Sequence, residues 1–142
     1  MQPLVLDTNI VLDAFVFADE GARPLLPALA AGQVAWLATA AMRDELARVL
    51  GYAQIVPRLA FYRLDAAQVL DAFDRFARLV DVPARAAIRC TDPDDQMFID
   101  LAVARRALLL SKDRAVLSMK NRLARLDVAV RTAFEPPPAP NA

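Results

Sequence analysis

The stretch from Cys90 to Asp113, CTDPDDQMFIDLAVARRALLLSKD, constrains this chain more than any other. It sets three acids, Asp92, Asp94 and Asp95, within four positions at the mouth of a helix. An apolar strand and then Ser111-Lys112-Asp113 follow. Pro93 suits the helix entry, the acids suit the positive end of the helix dipole, and Asp92 or Asp94 can cap it. With Asp95 as origin and about 100° per residue, Phe98, Ile99 and Ala102 fall within roughly 60° of it, whereas Asp100 points about 140° away, to water. Asp95 therefore shares the buried face of the first turn. A carboxylate on an apolar face is costly unless something pairs with it, and the identity of that partner is the central question.

The rest of the chain alternates short apolar strands with helices. Leu4–Leu6 reads as a buried strand, ended by Asp7-Thr8-Asn9, with an apolar helix over Ile10–Ala18. A short helix over Arg23–Ala31, with Gly32 at its end, precedes a second strand over Val34–Ala38. Thr39 caps a helix over Ala40–Leu50, stopped at Gly51. Asp65–Val80 reads as an amphipathic helix with Val69, Phe73, Phe76 and Val80 on one stripe, and Val82-Pro83 as a short strand or edge. Helix Asp95–Arg106, strand Leu108–Leu110, a helical stretch over Arg114–Leu126 and strand Val128–Val130 complete a single domain over residues 1–134. The tail, Glu135–Ala142, is proline-rich and expected to be disordered. This alternation predicts an α/β fold with a parallel sheet.

In such sheets ligands bind beyond the carboxyl ends of the strands. Asp7 follows the first strand and Asp113 follows Leu108–Leu110, so both belong to one edge, together with the start of the Asp95 helix. Glu45, at the edge of the Met42–Leu46–Val49 stripe, is a fourth member, whereas Asp44 points outward. Each acid alone has an ordinary explanation: an Asx-turn for Asp7, a helix-dipole acid for Asp95, an N-cap for Asp113, a solvated helix edge for Glu45. Together they repel. At about 4 Å and an effective dielectric near 20, each like-charge pair costs on the order of 4 kcal/mol, so the cluster needs protons or a divalent cation. The chain contains no histidine, which excludes His-based acid–base catalysis and His-ligated zinc. Oxygen ligands suit Mg²⁺ or Mn²⁺, and such an ion would polarise a phosphate and lower the pKa of an attacking water. That chemistry is phosphodiester hydrolysis.

These motifs resemble those of PIN-domain nucleases: LDTN (Leu6 to Asn9), an acid on an early helix (Glu45), DPDDQMFIDLAVA (Asp92 to Ala104) and LLSKD (Leu109 to Asp113). The D-P-D-D start is closest to the subgroup of toxins from toxin–antitoxin pairs. The resemblance implies a three-layer α/β/α fold with a five-stranded parallel sheet. It implies metal-dependent endonuclease cleavage of RNA, leaving a 5′-phosphate and a 3′-hydroxyl. It also implies Asp7, Glu45, Asp95 and Asp113 as catalytic and metal-binding acids. Thr8, Asn9 and Ser111 would hold the carboxylates by hydrogen bonds, while Asp92 and Asp94, flanking Asp95, are less certain members. An antitoxin protein and a homodimer are the implied partners. Two departures stand out: no glycine links the Asp95 helix to the next strand, and Asp13 is an extra acid on an otherwise apolar helix.

Charge and composition set further bounds. Net charge is zero, so the whole chain offers no electrostatic argument for nucleic acid. Leu101–Arg131, however, carries eight basic residues against two acids. Of these, Lys112 and Arg114 flank Asp113 and are the candidate RNA contacts. The single cysteine, Cys90, precludes an internal disulfide and fits a cytoplasmic setting. The start of the chain reads as neither a signal peptide nor a membrane span. Two rival readings are an Mg²⁺-binding phospho-acceptor signalling domain and a non-catalytic, protein-binding PIN relative. The Thr8-Asn9 that follows Asp7 speaks against the first, and intact acids at all four positions speak against the second.

Overall fold

The computed structural model describes residues 1–136. In chain order these form β1 (Gln2–Leu6), α1 (Thr8–Phe15), α2 (Leu25–Ala30), β2 (Val34–Ala38), α3 (Ala40–Leu50), α4 (Val56–Phe61), α5 (Ala66–Phe76) and β3 (Ala77–Leu79). A 3₁₀ turn (Pro93–Asp95) leads into α6 (Gln96–Arg105), followed by β4 (Leu108–Leu110), α7 (Arg114–Leu117), α8 (Lys120–Ala124) and β5 (Val130–Arg131). The five strands form one sheet in the order β3-β2-β1-β4-β5, with every pair parallel. Helices flank this α/β sheet, as expected.

The order explains where a site must form. The chain builds outward from β1 to β2 and β3, then crosses back to place β4 on the other side of β1. The reversal leaves a crevice between the carboxyl ends of β1 and β4, where ligands of open α/β sheets bind. The central strands are apolar on both faces, as a sheet covered on both sides requires. Leu4, Val5, Leu109 and Leu110 are fully buried. Trp36 of β2 packs between Phe15 of α1 and Phe73 of α5, with ring centroids 5.6 and 4.9 Å apart, and so ties three elements on one side.

Five expectations need correction. The helix expected over Asp65–Val80 ends at Phe76. It opens with a capping box between Asp65 and Gln68, but Ala77–Leu79 pairs with Trp36–Ala38 as β3. A strand there supplies the ladder that the edge of β2 would otherwise leave open, and it replaces the strand expected at Val82-Pro83. The stretch Arg114–Leu126 breaks at Ser118-Met119 into two short helices. The last strand lies at Val130–Arg131, slightly later than expected, with Leu109 and Ser111 donating to the carbonyls of Ala129 and Arg131. Asp100 is half-buried rather than turned out to water. Its Oδ1 accepts from the Ala86 amide at 2.9 Å and from Gln96 Nε2 at 2.8 Å.

That last pair fastens residues 80–92, which carry no helix or strand. Gln96 adds two more ties, accepting from the Cys90 amide and donating to the Ile88 carbonyl. The missing glycine after α6 is answered by Arg106, which itself takes the left-handed conformation at φ 49°. Of the expected disordered tail, Glu135 and Pro136 are exposed and irregular, and residues 137–142 lie outside the described residues. No helix among the described residues is long and apolar enough to cross a membrane.

Candidate metal centre

The site grows from the register of β1 and β4. Leu6 is paired with Leu110, so the next residue on each strand, Asp7 and Ser111, meet at the strand ends. The Asp7 amide donates to the Leu110 carbonyl at 3.0 Å. Ser111 Oγ donates to Asp7 Oδ2 at 2.7 Å and accepts from the Asp113 amide at 3.1 Å. Ser111 is fully buried, so this relay from Asp113 through the hydroxyl to Asp7 is held in the interior. Asp113 caps α7, its Oδ1 accepting from the Ala115 amide at 2.8 Å.

The third acid arrives on the turn before α6. Asp95 is only 8% exposed and lies beside buried Phe98, Ile99 and Ala102, as the helical phase predicted. The turn before it is 3₁₀ rather than α, and residues three apart on a 3₁₀ turn eclipse one another. Asp92 is thereby carried over Asp95. It caps the turn by accepting from the Asp94 amide at 3.0 Å. Asp92, Asp95 and Asp113 each present an oxygen within 4.8 Å of the others, an arrangement able to hold a metal ion.

The sequence left Asp92 uncertain because Asp92 and Asp94 both flank Asp95 and either could enter the site. The signal was Pro93 and three polar residues in a row, a composition suited to a tight turn. Asp94, by contrast, is exposed and contributes only its amide.

Glu45 is placed differently from the other three expected acids. Its Oε2 accepts a short hydrogen bond, 2.5 Å, from Thr8 Oγ1, which ties α3 to the start of α1 immediately after Asp7. Thr8 is buried, whereas the neighbouring Asn9 is exposed. Lys112 lies 2.5 Å from Asp13 Oδ2 and 3.8 Å from Asp19 Oδ2, which gives the extra acid Asp13 a partner. Arg114 is exposed at the start of α7.

Electrostatics single out Asp95. Burial, then the charges of Asp7 and Asp113, push its carboxyl up to about 7. Its Oδ2 is buried without a hydrogen-bond partner among the described residues. Asp7 is also raised, first by burial, although the Ser111 hydroxyl pulls it back and the Asp113 charge adds to the rise. The Cys90 thiol, near the same acids, is pushed up chiefly by burial. Among the described residues no lysine or arginine forms an ion pair with Asp7, Asp92, Asp95 or Asp113. An all-oxygen donor set with an orphaned buried oxygen and no internal counter-charge fits a hard divalent cation. The competing way to relieve it is a proton on Asp95, shared with Asp113.

The PIN domain profile matches residues 3–115, most of the chain. The chain belongs to the PIN domain family. No curated protein sequence matches it. Among solved structures, this PIN domain is similar to a chain in the crystal structure of VapBC2 from Rickettsia felis bound to a DNA fragment from their promoter. The TM-score is 0.59 at 15% identity, over 92% of this chain and 98% of that one. At that identity the likeness is one of fold, and it agrees with the sheet order and flanking helices described above.

Proposed function

We propose that this PIN domain is an Mg²⁺- or Mn²⁺-dependent endoribonuclease and the toxin half of a toxin–antitoxin pair. The observation that carries this reading is the meeting of Asp92, Asp95 and Asp113 within 4.8 Å, around a buried carboxylate oxygen that no group among the described residues satisfies. Asp95 and Asp113 would hold the ion, with Asp7 beside them and Asp92 as an added oxygen donor. Glu45 completes the set proposed from the sequence. When bound, the ion supplies a Lewis acid for a phosphodiester and a lowered pKa for an attacking water.

The chain's own residues fix the donors before any ligand arrives. Ser111 orients one oxygen of Asp7, the Ala115 amide one of Asp113, the Asp94 amide one of Asp92, and Thr8 one of Glu45. Such preorganisation is what keeps metal ligands in a productive arrangement. In the hydrolysis, water oxygen bonds to phosphorus as the bond from phosphorus to the 3′ oxygen breaks, and the 3′ oxygen leaves with a proton. Support for a protein partner comes from the likeness to a VapBC2 chain, read here as an antitoxin bound to a toxin.

The test is cleavage of single-stranded and structured RNAs by metal-loaded protein. Cleavage should require Mg²⁺ or Mn²⁺, stop with EDTA, and vanish in Asp7→Asn. Metal-replete protein that leaves every such RNA intact, with no anomalous density for Mn²⁺ among these acids in a soaked crystal, would overturn the reading.

A further inference from the structure

A second cleft adjoins the acids, and its lining does not resemble theirs. Asn9, Asp13, Phe17, Arg58 and Lys112 surround about 280 Å³. Asn9 lies two residues from Asp7 and Lys112 is next to Asp113, so the cleft abuts the proposed reaction centre. The Arg58 guanidinium carbon lies over the Phe17 ring, 3.6 Å from its centroid. Tyr62 packs behind, its ring 6.1 Å from that of Phe17. Arg58 is exposed and has no acidic partner among the described residues. Stacked on that ring, it also lines the cleft. Unpaired bases stack on such guanidinium planes.

We infer that this cleft is a subsite for one unpaired nucleobase of the substrate, stacked on Arg58 beside the phosphate being cleaved; the inference rests on the ribonuclease reading above. Three features favour a base over a phosphate. Asp13, with Asp19 nearby, already neutralises Lys112, so Arg58 is the one lining cation left unpaired among the described residues, and it is already stacked on Phe17, the arrangement in which a guanidinium plane receives a base. The volume lies below the ~300–1,000 Å³ of pockets for drug-sized ligands, a size for one ring system. Asn9 makes no side-chain hydrogen bond among the described residues and carries the donor and acceptor that read a base edge. Arg58 lies outside the basic run Leu101–Arg131, so charge counting along the chain does not find it.

The test uses Mn²⁺-loaded protein and a set of short single-stranded RNAs, each with an abasic nucleotide at a different position near the cleavage site. With the natural protein, one position should stand out, its loss of a base lowering kcat/KM by about 5- to 100-fold, the effect of one stacked base. In Arg58→Leu, which still covers the Phe17 ring but lacks plane and charge, the penalty at that position should shrink to less than about 2-fold while other positions keep theirs. Non-additivity of this kind reports direct contact. Arg58→Lys keeps the charge and loses the plane, and it should give the same flattened profile; it carries the test alone should the leucine variant not fold. An unchanged profile in the variants, or full rescue by lysine, overturns the subsite and leaves the nuclease standing. Absence of cleavage by the natural protein overturns both.

Discussion

Two acidic neighbourhoods sit side by side at this end of the sheet, and they resolve the same problem in opposite ways. In one, Asp13 and Asp19 share Lys112. In the other, Asp7, Asp92, Asp95 and Asp113 converge with no basic side chain among the described residues paired to any of them. Lys112 and Asp113 are adjacent in sequence, so a cation stands one residue from the unrelieved cluster and points elsewhere. The first neighbourhood is complete as protein. The second is complete only with a proton or a ligand, and that difference separates a structural ion pair from a candidate reaction centre.

The comparison breaks most visibly at Asp95. Asp95→Asn should lower metal-dependent RNA cleavage on the order of 10²–10³-fold, comparable to removing one preorganised electrostatic contact. The same substitution should raise the melting temperature of metal-free protein at pH 8, because it removes a buried charge that repels its neighbours. A variant that lost activity and stability together would show that Asp95 is held by a partner not recognised above.

Next in size is the response to pH. The folded carboxyl of Asp95 lies at about 7 against 3.8 for the ordinary group. Between these values the folded state binds more protons than the unfolded one, so stability falls as pH rises through that window. Metal-free protein should be most stable near pH 4, as far as this group is concerned, and lose on the order of a few kcal/mol by pH 8. Adding Mn²⁺ at pH 8 should restore about 3 kcal/mol at a hundredfold excess over its dissociation constant. Thermal melts from pH 4 to 8, with and without the ion, measure both slopes. A flat metal-free profile would place the cluster in the same category as its neighbour.

The smallest effect sharpens the other side. Lys112→Met strands Asp13 and should cost about 1 kcal/mol, read as a loss of ~2–4 °C in melting temperature. Lys112 is raised above 10.5, first by its bond to Asp13. Its contribution is therefore full across the neutral range and fades on the alkaline side as pH climbs through the raised value. Across pH 5–8 the pair should thus be indifferent to pH where the cluster is not.

Much of this was legible in the chain. Apolar strands alternating with helices gave the parallel sheet, and the helical phase of Phe98, Ile99 and Ala102 gave the burial of Asp95. Strand ends alone were enough to put Asp7 and Asp113 on one edge. What stayed hidden depended on geometry finer than periodicity. Val69, Phe73, Phe76 and Val80 fit a helical stripe, yet the open edge of β2 claims Ala77–Leu79 because unpaired ladder groups outweigh local propensity. Asp92 and Asp94 both flank Asp95, and only the capped turn decides between them, bringing Asp92 into the cluster and leaving Asp94 exposed. Asp100 looked like a solvent acid because its partner, the Ala86 amide, belongs to a segment with no pattern of its own. Arg58 was missed since its significance comes from the ring beneath it, Phe17, in the bend after α1.

The bond from the Asp7 amide to Leu110 is the last rung of the β1–β4 ladder, in the middle of the sheet. Asp7 is therefore positioned by the same hydrogen bonds that define the innermost strands. Amide exchange at Asp7 should be as slow as at Val5, released only by global unfolding. A binding partner that silences this protein would then have to fill the carboxylate array, because prising it open would mean taking the whole domain apart.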